Sequence, residues 1–162
     1  MRYLLIDRVD RMETGHSIVC TKSVSLAEDV FADHFIGAPV MPGALLIESL
    51  AQAGTVLLEY PHELRKKALL VMVERAKFRS IVRPGDQLRI EVTVDSDDGD
   101  LVRAHGTIQG QKDRVAEATL VFHLADAEEF YPSPTRHLVE STYKLLLREA
   151  EIISSPERRG EQ

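Results

Sequence analysis

The chain has 162 residues, 44% of them hydrophobic and 28% charged, with a net charge of −6. That is enough chain and apolar content for a single domain with a sizeable core, and an ordinary globular balance. The acidic excess argues against nucleic acid as the main partner, since neutralising phosphates takes a basic face.

One cysteine, Cys20, allows no internal disulfide and no cysteine-based zinc site, and fits a reducing cytoplasm. The N-terminus has no apolar stretch ending in a small-residue cleavage site, so nothing there suggests export.

In chain order, the apolar run over residues 3–9 reads as a strand, and Glu13-Thr14-Gly15 as a turn. Residues 16–24, rich in β-branched side chains, return as the second strand of a hairpin. Cys20 falls inside it and reads as a small buried side chain, because no His or Arg adjoins it in sequence.

A loop over 26–41 follows, with His34 among Gly37, Pro39 and Pro42. Pro42 suits the first position of a helix that should end near Tyr60, before Pro61. The helix is apolar on every side, so protein must surround it. A membrane span is the weaker reading: Glu48, Gln52 and Glu59 interrupt the run and no basic flank orients it. In a chain otherwise built of strands, a helix of this kind calls for a curved sheet folded around it.

The remaining strands are expected at 68–78, 87–94, 101–109 and 114–124. Leu88, Ile90, Val92 and Val94 alternate onto one face, Arg83-Pro84-Gly85-Asp86 turns the chain, and Asp98-Gly99 marks a hairpin. The acidic cluster at 95–100 lacks the spacing of a calcium loop and reads as a solvated turn. Beyond residue 125 lie a linker, a helix over about 134–153 starting at Ser133-Pro134, and a disordered end from Ser154. Val139, Tyr143, Leu146, Ala150 and Ile153 form its apolar stripe, which needs the sheet or a second subunit as its partner. A two-heptad coiled coil is the weaker alternative.

Three features of the loop and central helix converge on proton chemistry. An imidazole at His34 can take or give a proton near neutrality. The helix start at Pro42-Gly43 offers unpartnered N–H groups and a positive dipole end to a developing oxyanion. Glu48 lies about one and a half turns further on, where burial should raise its pKa and fit it to protonate a leaving hydroxyl. Gln52, at i+4, is placed to hold it. Base, oxyanion site and acid are the parts needed to remove water from a β-hydroxy thioester.

His34-Phe35-Ile36-Gly37-Ala38-Pro39-Val40-Met41-Pro42-Gly43 resembles the H-F-P-G-x-P-x-M-P-G loop of the β-hydroxyacyl-acyl-carrier-protein dehydratases. Glu48-Ser49-Leu50-Ala51-Gln52-Ala53 resembles their E-A-x-A-Q-A helix. Similar segments extend the resemblance over residues 3 to about 125, among them Leu4-Leu5-Ile6-Asp7-Arg8-Val9, Lys77-Phe78-Arg79 and Ala116-Glu117-Ala118.

It implies an α+β hotdog fold over 1–125, a curved antiparallel sheet of about six strands wrapped around one long helix. It also implies His34 as base, Glu48 as acid, and Gly43, Phe35 and Gln52 at the substrate. His and Glu of one site would come from different subunits of a homodimer, with a trimer of dimers open. The substrate would ride on the phosphopantetheine of an acyl carrier protein, and the protein would need no cofactor of its own. Glutamate at the acid position resembles the plain dehydratases rather than the isomerising branch, which carries aspartate. Arg75, Lys77, Arg79 and Arg83 would dock the carrier, unless they are simply a solvated sheet edge.

Asp33 stands where the family has glycine and Ile36 where it has proline, and the tail over 126–162 is longer than usual. These departures point to a specialised acyl substrate. The same fold also hosts acyl thioesterases, which would use a carboxylate and water, and a non-catalytic acyl-binding subunit is the third alternative.

Overall fold

The computed structural model describes residues 4–35, 37–130 and 136–154. Ile36, the side chain of Asp33, the expected helix start at Ser133-Pro134 and the end beyond Ser154 lie outside the described residues.

The period-two patterns become an antiparallel sheet. β1 (Arg8–Glu13) and β2 (Ser17–Ser23) form the hairpin. β4 (Gln87–Asp97), β5 (Leu101–Gln109) and β6 (Arg114–Asp126) form the meander, and β3 (Lys66–Phe78) pairs with β6 at one edge. Leu88, Ile90 and Val92 are buried as their alternation requires. The first strand begins later than expected, because Leu5 and Ile6 enter the core ahead of the ladder, to which residues 4–7 contribute the Asp7 N–H donating to the Thr21 carbonyl at 2.9 Å.

A short helix, α1 (Val30–Asp33), sits inside the expected loop. The central helix, α2, spans Gly43–Glu59, with Pro42 as its N-cap rather than its first residue, and a 3-10 turn over Tyr60–His62 follows. α2 lies close on the sheet: a Cβ on Gly54 would stand 2.6 Å from the Phe122 ring, so only glycine fits there.

The expected complete burial of α2 is only partly met. Leu46, Leu50, Ala53, Val56 and Leu57 are buried, whereas Leu45, Ile47, Glu48, Gln52 and Thr55 are half-buried and Ala44 is exposed. One side of the helix's first half is not wrapped by its own sheet.

The strand order is β3-β6-β5-β4-β2-β1-β7, where β7 is Glu151–Ile153, so the six strands expected over residues 1–125 are joined by a seventh. The seventh replaces part of the expected C-terminal helix. α3 spans only Arg136–Leu146, and β7 (Glu151–Ile153) then pairs in parallel with β1, Met12 opposite Ile152. The apolar stripe is helical only through Val139, Tyr143 and Leu146. The unpaired edge of β1 offered backbone partners that a longer helix would have left unused.

Candidate active site

α1 ends at His34, whose N–H donates to the Val30 carbonyl at 3.1 Å. The chain then loops back, and the His34 ring nitrogen Nδ1 lies 2.8 Å from the Val40 carbonyl. A carbonyl oxygen only accepts, so Nδ1 carries a proton, and in the neutral ring Nε2 is the nitrogen with the lone pair. The loop thereby fixes the tautomer as well as the position, and leaves the ring able to act as a base. The Phe35 ring sits tilted against it, centroids 4.4 Å apart, and is largely exposed.

Where the loop meets α2, Leu45 and Leu46 N–H groups return to the Pro42 carbonyl. Among the described residues no hydrogen bond occupies the Gly43 N–H. The Phe78 ring of β3 covers the position a Cβ would take on Gly43, 3.0 Å away. A side chain on Gly43 would therefore press on the Phe78 ring, itself about half exposed.

Further along α2, Gln52 Nε2 donates to Glu48 Oε1 at 3.0 Å, and Gln52 Oε1 accepts from Leu5 N–H at 2.8 Å. The amide is thus anchored at both ends and orients the carboxylate, as the i+4 spacing suggests. Glu48 is half-buried rather than buried. It opens with Gln52 into a cavity of ≈ 460 Å³, bounded by Ala51, Thr55 and Val56 of α2, Leu69 and Leu70 of β3, and α3.

His34 does not line that cavity, and among the described residues no hydrogen bond or ion pair joins it to Glu48. Within one chain the two groups are held separately. The described residues contain no cluster of His, Cys, Asp and Glu suited to a metal ion, and no helix is long and apolar enough to cross a membrane.

Sequence reasoning missed the most buried carboxylate among the described residues. Glu59, 1% exposed at the end of α2, accepts from Lys67 Nζ at 2.8 Å, Ala68 N–H at 3.0 Å and Tyr143 Oη–H at 2.5 Å. Three donors compensate its burial and join α2, β3 and α3. The signal was a glutamate closing an apolar helix, visible but read only as an interruption that argues against a membrane span.

Of the expected basic patch, Arg79 and Lys77 converge on Glu117, with Arg79 at 2.8 Å and Lys77 at 3.9 Å. Hydrogen bonds from Arg79 and then Arg114 hold the Glu117 carboxyl below its ordinary pKa. Cys20 is wholly buried, and burial pushes its thiol well above the ordinary range, away from reactivity.

The FabA-like domain model matches residues 1–119. The chain is 42% identical over 121 residues to the 3-hydroxyacyl-[acyl-carrier-protein] dehydratase FabZ of Lactobacillus helveticus, covering 73% of this chain and 82% of that one. It is also 42% identical over 135 residues to the enzyme of the same name from Symbiobacterium thermophilum, covering 83% and 94%. Among solved structures, a protein of Streptococcus mutans bound to acetyl CoA superposes with a TM-score of 0.59 at 18% identity, covering 74% and 88%. At that identity the likeness concerns the fold.

Proposed function

The chain belongs to the FabA-like family and has the hotdog fold, and on that premise we propose that it dehydrates 3-hydroxyacyl thioesters on acyl carrier protein to trans-2-enoyl thioesters, in cytoplasmic fatty-acid or related acyl-chain synthesis. The observation that carries this is the 42% identity to FabZ enzymes across most of both chains.

In the proposed reaction His34 Nε2 removes the α-proton. The carbonyl oxygen, gaining charge, is held by the Gly43 N–H at the positive end of α2. Glu48, in its protonated form and oriented by Gln52, gives its proton to the β-hydroxyl, which leaves as water. The Cα–H electron pair becomes the new double bond, the C–O pair leaves with the protonated hydroxyl, and a proton passing from His34 back to Glu48 resets the pair. Phe35, exposed beside the imidazole, offers apolar contact to the substrate. No cofactor enters, because both proton transfers fall to side chains.

The separation of His34 from Glu48 supports a site shared between two copies, each supplying one group. The shape of β3 supports the same dimer. It is a 13-residue edge strand whose consecutive Leu70, Val71, Met72 and Val73 are all exposed, a surface that a monomer would normally protect. Pairing β3 with a second β3 would cover that edge, and a trimer of such dimers is compatible with it. Arg75 and Arg83, near the strand, would attract the acidic carrier.

The test is turnover of a 3-hydroxyacyl thioester followed by enoyl absorbance. His34→Ala and Glu48→Gln should each lower kcat by about 100-fold or more. No enoyl product from the intact protein overturns the reading. Thiol release from a saturated acyl thioester, lost in Glu48→Gln but kept in His34→Ala, would replace it with a thioesterase.

A further inference from the structure

Resting on the dehydratase reading, we propose that α3, which lies beyond the family match, forms the far wall of the acyl-chain cavity and sets the chain length the enzyme accepts.

The family match ends at residue 119, whereas α3 begins at Arg136. The cavity beside Glu48 is nevertheless bounded by Val139, Thr142, Tyr143 and Leu146, all from α3. Glu48, Gln52 and Thr55 follow one another at spacings of four and three. They mark one face of α2, running about 10 Å from the carboxylate away from the helix start at 1.5 Å per residue. A substrate whose β-carbon lies at Glu48 has its remaining carbons directed along that face.

The apolar walls there are Ala51, Val56, Leu69, Leu70 and the N-terminal Leu4 and Ile6, with Gln52, Thr55 and Thr142 among the polar side chains between them. They suit hydrocarbon rather than a polar group. The one lysine at the cavity, Lys67, has its charge paired with Glu59 at 2.8 Å.

α3 is built as a fixed wall. Tyr143 is buried and donates to Glu59, Leu146 is 2% exposed in the core, and Arg136 Nη2 donates to the Glu63 carbonyl at 3.2 Å. Beyond it, β7 ladders onto β1, and Thr14 N–H donates to the Ile153 carbonyl at 3.0 Å. The extension is therefore tied to the domain on both sides of its turn, and the cavity is bounded by a held surface. Thr142 is the α3 residue that lines this cavity without anchoring the helix to the core; its hydroxyl returns to the Leu138 carbonyl of its own helix at 3.0 Å.

The experiment measures kcat/KM for 3-hydroxybutyryl and 3-hydroxydecanoyl carrier-protein thioesters with the full-length protein, Thr142→Phe and Thr142→Ala, with a thermal melt of each. Thr142→Phe should lower the long-to-short ratio about tenfold or more, since excluding even one methylene from an apolar pocket has an effect of that order. Thr142→Ala should raise the ratio. A helix that merely buttresses the domain would change both substrates alike, so an unchanged ratio in both variants overturns the proposal. If the phenylalanine variant does not fold, the alanine ratio decides. Absence of turnover by the unmodified protein on either substrate would overturn the dehydratase reading itself, a result separate from a ratio that fails to move.

Discussion

Two side chains, Gln52 and Tyr143, each hold a carboxylate in place. Gln52 spans the Leu5 N–H and the Glu48 carboxylate. If Glu48 is the acid as proposed, Gln52→Leu should lower kcat about tenfold or more with a smaller change in KM, because the carboxyl loses its orientation. Steady-state kinetics against chain-matched substrate read this directly.

Tyr143 donates to a carboxylate that is buried and already paired with Lys67. Tyr143→Phe removes one hydrogen bond to a charged group and should cost about 1.5–3 kcal/mol of stability, measured by denaturant unfolding. Glu59→Leu is the harsher change, since it leaves Lys67 and the Ala68 N–H without this partner.

Among the elements, the closeness of α2 to β6 and the charge balance of β3 on β6 give separate predictions. Gly54→Ala places a methyl 2.6 Å from the Phe122 ring, which the packed core cannot move cheaply. The expected loss is about 1–3 kcal/mol in an unfolding titration.

Glu117 sits on β6 opposite Lys77, bound also by Arg79 and Arg114. Its folded pKa is depressed, so its contribution is present above the unfolded pKa and lost as pH falls through the folded one. Glu117→Gln should therefore be less stable than the parent at neutral pH, with the gap closing as pH falls below the carboxylate range. A gap that persists in acid would mean that the pairing does not act through charge.

For the whole molecule, the proposed site shared between two copies carries its own prediction. Mixing His34→Ala with Glu48→Gln chains under exchange should restore about a quarter of parental activity if each site draws its base from one subunit and its acid from the other. Half the dimers would then be mixed, each with one intact site. Sites contained in a single chain would give no restoration. Placing lysines at Val71 and Val73 on the open edge of β3 should reduce sedimentation to the monomer and abolish turnover together.

The loop and helix carrying His34, Gly43, Glu48 and Gln52 were legible from the sequence because their geometry is local. Gly and Pro positions set the loop, an apolar run sets the helix, and four-residue spacing puts Gln52 on Glu48. The four long strands from β3 to β6 were legible for the same reason, since alternation records which face is buried.

What tertiary structure alone decided depends on partners distant in sequence. Glu59 and Tyr143 are 84 positions apart, and nothing local tells a buried, compensated glutamate from a solvated one. Ala150 and Ile153 continue the helical period of α3, yet the chain leaves the helix to ladder β7 onto β1, where an unpaired edge outweighs local periodicity. The same long-range packing sets Phe78 over Gly43 and α3 across the cavity. Local patterns thus specify the loop and helix that carry the candidate groups, while the fold determines the cavity beside them.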